Sequence, residues 1–539
     1  MKPRNKYYSY LVAVILVLLF PALFINLGLL PLIADEATRA LVALEMEISE
    51  NIITPTINGE YYFNKPPLYN WVLLSLFKIS KQHSEYIIRL PAVVSLLIFG
   101  LLLFLTIRKK TGDRTAFLSA MAFITCGRIL FYDSMLGLID LSFSLLIFLN
   151  FILIYHYGKT GRFSILFLLS YLIAGITFLM KGLPAIVFQG TTLLMAMIYF
   201  KQWKNLLTYR HLIGIAVFLL ITGSYYYLVL IHNPESQYFE VLVSESTKRT
   251  FIRHGFLKTS LHLFTYPAEQ IYHLLPWSLL FVYMIRKPFY REIREHDFLA
   301  YLALVFLVNI PVYWISVDSY PRYVFMLYPI LFILIIHHYI RNENSAFTKK
   351  IFFPLLMTFL ISGLVAGAYL FLKHDFYDPS FSFAVFIPVF LITAFILFLI
   401  WKNHGIRLEL LVIMLLVIRI GFNLVILPER LENSRTVIQR QQAKNVAKIA
   451  EGRELRLRPW TGISHETSFY ISRETKKILR VQQGTPFQDI LYIVSGNERE
   501  RKKETLLYRF ETRWKNNPLH LVIYPDQNEK ADELPEATD

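Results

Sequence analysis

Residues 87–108, IIRLPAVVSLLIFGLLLFLTIR, decide the fold class. An α-helix rises about 1.5 Å per residue, so a run of this length covers the hydrocarbon core of a bilayer. Its two charges, Arg89 and Arg108, stand near the ends, where long cationic side chains reach the headgroups. Outward from this run, similar ones recur near residues 8–30, 115–132, 136–156, 164–181, 183–200, 211–231, 271–286, 298–316, 322–340, 351–373, 381–400 and 407–427. The expectation is an all-α polytopic membrane protein with about 13 transmembrane helices. Composition agrees: of 539 residues, 55% are hydrophobic and 17% charged, and the mean hydropathy is +0.44.

The formal charge of +16 sits mainly in the short links between apolar runs and in the C-terminal tail. RKKTGDR (108–114), KQWKNLLTYR (201–210) and RKPFYREIR (286–294) are such links, and they fall on one side of the expected membrane. The positive-inside rule makes that side cytoplasmic, with the N-terminus inside and the C-terminus outside. This distribution suits membrane topology and argues against a nucleic-acid partner. Cys126 is the only cysteine and lies in an apolar run, which excludes a disulfide framework or a thiolate metal site. The start MKPRNKYYSY precedes an apolar run without a clean small-residue cleavage site, and reads as an uncleaved first span.

Two external loops are long, residues 31–86 and about 232–270. In the first, Ala37, Leu41, Leu44 and Ile48 recur at helical spacing, with Glu36, Arg39 and Glu47 on the other side. A second piece begins at Pro66-Pro67 and carries Leu68, Trp71, Val72 and Leu76. Amphipathic helices of this kind lie along a membrane surface. From residue 430 the composition turns polar. Strand-like runs at Leu455–Arg458, Lys477–Val481, Leu491–Val494 and Leu519–Tyr524 alternate with helical patterns. The expected division is a transmembrane domain over 1–429, whose external loops form the active site, and a small external α/β domain over 430–539. That tail carries no glycine-rich phosphate loop and no nucleophile motif.

The chemistry-bearing residues gather on the external side. Asp35 and Glu36 stand just outside the first span; Asp35 suits a helix cap and also a general base. Lys65 follows Tyr61, Tyr62, Phe63 and Asn64 and precedes two prolines, which hold it on an extended, stiff segment suited to a membrane-attached phosphate. The alternative is an interfacial anchor. Asp140 opens the fourth span, with Asp133 a weaker companion; a carboxylate at such a place is costly and marks function or capping. Lys181 ends the fifth span. SESTKRTFIRHG (244–255) concentrates Glu245, Lys248, Arg249, Arg253 and His254, as an anion patch or a solvated face. SVDSYPRYVFMLYP (316–329) puts Arg322 and Tyr323 at an external helix start.

These residues carry a family resemblance. The stretch DEATRALVALEMEISENIITPTINGEYYFNKPPLYNW (35–71) resembles the first external loop of the aminoarabinose lipid A transferases, within the wider dolichyl-phosphate-mannose–protein mannosyltransferase-like enzymes of GT-C fold. The DEA start, the T-P-x-x-N-G turn, the Y-F-x-K-P-P run, Asp140, the KG at Lys181, Pro276–Ser278 and S-x-x-x-Y-P-R-Y-x-x-x-x-Y-P follow in order, over roughly residues 1–345. The resemblance implies a glycosyltransferase. It would move a hexosyl or pentosyl group from a polyprenyl-phosphate carrier to lipid A or another envelope lipid or glycan, at the outer face of the cytoplasmic membrane. It implies Asp35 and Asp140, with Glu36, as catalytic carboxylates, and Lys65, Arg249 and Tyr323, helped by Tyr62, Arg39, Arg322 and Lys181, around the donor phosphate. Two departures bear on a metal. Asn64 stands where the family has glutamate, and Ser246 where it has histidine, so the family's divalent-ion ligands are replaced and no metal residue is assigned. The arginine near the DEA start is displaced by one position, to Arg39. A protein O-mannosyltransferase-like enzyme and a lipid or sugar transporter are the rival readings. A transporter predicts inverted repeats and midplane charges, which the sequence lacks. A monomer is expected.

Overall fold

In a computed structural model of the chain, residues 4–233, 241, 256–317, 319–432, 434–487, 489–496, 504–511 and 518–524 are described. Among them, eight helices are long and apolar enough to cross a membrane. They are Glu85–Thr111, Asp140–Thr160, Phe163–Lys181, Tyr209–His232, Asp297–Trp314, Thr348–Lys373, Pro379–Lys402 and His404–Glu432. The protein is therefore a multi-pass membrane protein. Three expected spans are met by shorter apolar helices, Tyr8–Phe24, Pro184–Tyr199 and Tyr328–Arg341.

The two remaining runs depart from straight spans. The expected helix over 115–132 is two pieces, Asp113–Thr125 and Gly127–Met135, bent by 45°. Gly127 explains the break. Its N–H donates to the Leu275 carbonyl at 2.8 Å, and a Cβ there would stand 3.0 Å from that same oxygen. Glycine lets the two backbones approach this closely without crowding. The expected span 271–286 is instead the end of helix Phe256–His273 followed by a 3-10 helix, Trp277–Ile285. Hydropathy registers the apolar side chains of such runs and is blind to helix continuity.

The chain forms two compact units. Residues 1–29, 63–69 and 89–430 make the first; residues 30–62, 70–88 and 431–539 make the second. One division between the units falls at 430/431, and residues 30–62 and 70–88 of the first external loop group with the C-terminal residues.

In the first unit a single arginine joins three distant segments. Arg114 donates to Glu409 Oε1 at 2.6 Å, to Glu343 Oε2 at 2.8 Å and to the Gly405 carbonyl at 2.6 Å. Glu409 has no solvent exposure, and that guanidinium is its partner.

In the second unit, helix Asp35–Ser49 packs with a hairpin of β1 (Thr56–Ile57) and β2 (Glu60–Tyr61) and with helix His465–Thr475. Strands β3 (Leu455–Leu457), β4 (Arg480–Val481), β5 (Leu491–Ser495), β6 (Thr505–Phe510) and β7 (Leu519–Ile523) form one sheet, in the order β4-β3-β5-β7-β6. β3 runs parallel to β4 and β5; β7 is antiparallel to β5 and β6. β6 was not expected; its apolar residues sit among charged ones, and only the ladder to β7 makes it a strand.

The amphipathic reading of residues 35–48 needs correction. Ala37, Leu41 and Leu44 are buried, but so are Glu36 and Arg39 on the polar side. That side is spent on internal hydrogen bonds rather than on water. Thr38 Oγ1 meets His465 Nδ1 at 2.8 Å, and Glu45 accepts from Thr56 Oγ1 at 2.7 Å and from the backbone N–H groups of Asn58 and Gly59. Burial raises the Glu45 carboxyl; those hydrogen bonds and the Arg480 charge pull it back. Burial lowers the His465 imidazole, with Glu466 and Asp35 opposing and Arg39 reinforcing.

Arg114→Ala is expected to cost about 3–5 kcal/mol, because it removes the guanidinium from the buried Glu409 carboxylate; a fall in detergent-solution melting temperature that Arg114→Lys partly spares is the check. His465 gives a pH dependence. Its folded pKa lies below its unfolded one, so its stabilising contribution is complete above the unfolded value, about 6.5, and is lost as pH falls. Melting measured between pH 8 and pH 5 should decline on acidification, and His465→Gln should flatten that decline.

Candidate active site

Two sets of functional side chains are described, one in each unit. In the first unit the geometry begins with a helical hairpin. Helix Asp140–Thr160 ends at Gly161, and helix Phe163–Lys181 returns directly. Two helices of 21 and 19 residues run back to back. The first residue of one thus lies beside the last residue of the other. Asp140 Oδ1 accepts from Lys181 Nζ at 2.5 Å. The helix termini favour this arrangement, with an anion at an N-terminus and a cation at a C-terminus. Gly182, at φ +84°, closes the second helix in a backbone region that L-residues avoid.

A third segment completes the cluster. The short 3-10 turn Pro321–Val324 brings the Arg322 guanidinium to 3.3 Å from Asp140 Oδ2. Lys181 Nζ lies over the Tyr323 ring at 4.3 Å and the Phe143 ring at 4.9 Å. Arg322 stacks against Tyr320 at 4.3 Å. The exposures of Asp140, Lys181, Arg322 and Tyr323 are 3%, 5%, 9% and 6%. Charges so removed from water persist only when matched, and here one carboxylate faces two cations. Two cations set side by side in an aromatic surround suit an anionic group. Beside the chain break, Arg128 donates to Asp133 Oδ2 at 2.6 Å and stacks on Tyr132 at 4.3 Å.

Lys65 also belongs to the first unit, half-buried ahead of Pro66, Pro67 and helix Leu68–Ser80. Arg249, with Glu245, Ser246, Lys248, Arg253 and His254, lies outside the described residues.

In the second unit, Asp35 is exposed at the first position of helix Asp35–Ser49, after Ala34 at φ 51°. Ala34 N–H donates to Glu466 Oε1 at 2.9 Å, which holds this uncommon conformation. Glu36 is buried, and its Oε1 accepts the Ile33 N–H at 2.9 Å; it shapes the turn before the helix. Arg39 hydrogen-bonds the Tyr62 hydroxyl and lies 5.1 Å from its ring centroid, with Nη1 buried and unpartnered. Tyr470 donates to Glu85 at 3.0 Å, accepts the Leu32 N–H at 2.8 Å, and burial pushes its phenol far upward.

The structure therefore brings Asp140, Lys181, Arg322 and Tyr323 into one cluster, and Arg39 with Tyr62 into another. Arg128, Glu45 and His465 were not singled out from sequence. For Glu45 a signal existed: the T-P-x-x-N-G turn exposes N–H groups that need an acceptor, and a carboxylate on the preceding helix supplies it. His465 had none, because its hydrogen-bond partner Thr38 is 427 residues away.

Of the two positions where the divalent-ion ligands are replaced, Asn64 is described and Ser246 lies outside the described residues. Asn64 offers an exposed amide in place of a carboxylate, and among the described residues no group of three His, Cys, Asp or Glu side chains is arranged to hold a metal.

Comparisons with known proteins bear on the family and the fold. Residues 64–227 match the family described as dolichyl-phosphate-mannose-protein mannosyltransferase. A protein of Aquifex aeolicus without assigned activity is 25% identical over 362 residues, covering 65% of this chain and 68% of that one. An undecaprenyl phosphate-alpha-4-amino-4-deoxy-L-arabinose arabinosyl transferase of Pseudomonas paraeruginosa is 24% identical, covering 67% of this chain and 65% of its own length. The chain thus spans about two thirds of the length of these relatives. In fold, it matches the crystal structure of ArnT from Cupriavidus metallidurans bound to undecaprenyl phosphate, with a TM-score of 0.71, 17% identity and coverage of 96% and 98% of the two chains. The apo structure of that protein gives 0.67. By the family match over residues 64–227, by sequence and by fold, the chain is similar to these membrane glycosyltransferases.

Proposed function

We propose that this protein transfers a sugar from a polyprenyl-phosphate carrier to an acceptor on a cell-envelope lipid or glycan, at the outer face of the cytoplasmic membrane. The observation that carries this reading is the buried cluster in which Asp140 holds Lys181 and Arg322 against Tyr323. The names of the Pseudomonas and Cupriavidus relatives support the carrier class. Lipid A is the acceptor that the family resemblance favours. The cationic links 108–114, 201–210 and 286–294 support a cytoplasmic N-terminus and an external second unit.

In the transfer, an acceptor oxygen forms a bond to the anomeric carbon as the bond from that carbon to the carrier phosphate breaks. The departing phosphate gains negative charge, and preorganised cations lower the barrier by meeting it. Lys181 and Arg322 fill that role. Asp140 positions them, since an aspartate bridging two cations fixes both heads at once. Lys65 and Tyr323 line the same phosphate, and Arg39 with Tyr62 forms a further anion-compatible pair in the second unit. The acceptor oxygen gives up its proton to a carboxylate. Asp35, exposed and ionisable at a helix start, is the group we assign to it. Because Asn64 offers no charged donor, no step is assigned to a metal.

Asp35→Asn is expected to lower sugar transfer in membranes about 10²–10⁴-fold, while melting stays within about 0.5 kcal/mol of the parent because the position is exposed. Retained turnover would refute the base assignment. Lys181→Met should abolish transfer, and Lys181→Arg should restore part of it. Chelation with EDTA should leave turnover within about twofold of its starting value, as expected when no Lewis acid acts. A large loss restored by a divalent ion would reverse that reading.

A further inference from the structure

The second unit contains a cleft unrelated to the residues assigned above. It measures about 620 Å³, within the ~300–1,000 Å³ range of small-molecule sites. Its walls are the ends of helices Asp35–Ser49, Arg435–Ile449 and His465–Thr475, together with β3 and β4. Ala447, Leu455, Ile471 and Leu479 make a buried apolar floor.

The rim is strongly cationic. Lys444, Lys448, Arg453, Lys476, Lys477 and Arg480 line it, all exposed, and among the described residues none of them is in an ion pair. Two of the three lining glutamates are already engaged: Glu454 holds Arg456 at 2.6 Å, and Glu474 holds Arg473 at 3.0 Å. Only Glu451 remains to set against six cations. Helix dipoles do not account for the surplus. Three helix C-termini supply about half a negative charge each, well short of the rim's charge. Arg480 also acts on Glu45, but that carboxylate is buried with three hydrogen-bond donors of its own.

We infer that this cleft binds a phosphate-ester group carrying two or more negative charges, with an apolar portion against its floor. A single carboxylate would use one or two of the cations. Four of the six are lysines, compact point charges that suit a phosphate's rounded charge without a fixed fork geometry. The site is distinct from the proposed transfer centre, and its existence does not depend on that reading.

The test uses the full chain in detergent micelles, titrated calorimetrically with inorganic pyrophosphate and, separately, with dioctanoyl phosphatidic acid. Saturable binding of either that weakens steeply with added salt is the expected result. The double variant Lys448→Glu/Lys477→Glu should weaken it at least about tenfold, the effect of reversing two charges at a solvated rim. Lys448→Arg/Lys477→Arg should preserve it, and unchanged melting would show that both variants fold. Preference for phosphatidic acid identifies a ligand whose apolar portion uses the floor; equal or tighter binding of pyrophosphate would overturn the apolar part of the inference and leave a soluble polyanion as the ligand. Failure to bind either probe, or undiminished binding by the charge-reversed variant, would overturn the inference.

Discussion

A carboxylate withdrawn from water at the end of transmembrane helices must be matched by cations, and Asp140 meets that demand twice, through Lys181 and Arg322. Much of the first unit follows from this constraint. The hairpin of helices Asp140–Thr160 and Phe163–Lys181 sets its two charged ends side by side, and the turn at Pro321–Val324 must reach the same point. Removing one member leaves another charge stranded, a penalty of about 3–5 kcal/mol by analogy with other buried pairs. Such clusters gain little net stability over apolar packing of equal volume. Their presence in this membrane protein is therefore better explained by what they bind than by what they hold together.

The second unit solves a related problem with neutral partners. Helix Asp35–Ser49 has polar side chains on a face that is covered, and it satisfies them one by one with His465, Tyr62 and the hairpin turn. The result is a helix fixed in rotation and register. Its first residue, Asp35, is exposed, but the backbone before it is pinned at Ala34 by Glu466. A reactive group gains precision when its support is rigid and its own atoms stay accessible.

Much of this was legible in the sequence. The long spans were readable because a bilayer demands about twenty apolar residues in a row, and that demand leaves a mark no soluble fold imitates. Asp140, Lys181, Arg322 and Tyr323 were identifiable as charges and aromatics at span ends. What the sequence withheld was partnership: nothing in residues 140, 181 and 322 says that they meet. The buried polar face of residues 35–49 was hidden for the same reason, since part of its cover comes from residues after 431. Strands β3, β5 and β7 were foreseen from their apolar runs. β6 was not, since four of its six residues are exposed and only its neighbour gives it shape.

The bend at Gly127 has a consequence for protein engineering. The junction is written in main-chain atoms, an N–H on one segment and the carbonyl of Leu275 on another, and a Cβ on the first would stand only 3.0 Å from that carbonyl. Side-chain redesign cannot retune such a joint, and it cannot be inherited in halves. A chimera with a related enzyme must take residues 113–135 and 274–285 from the same parent, because each segment supplies one side of a seam that tolerates only a few tenths of an ångström.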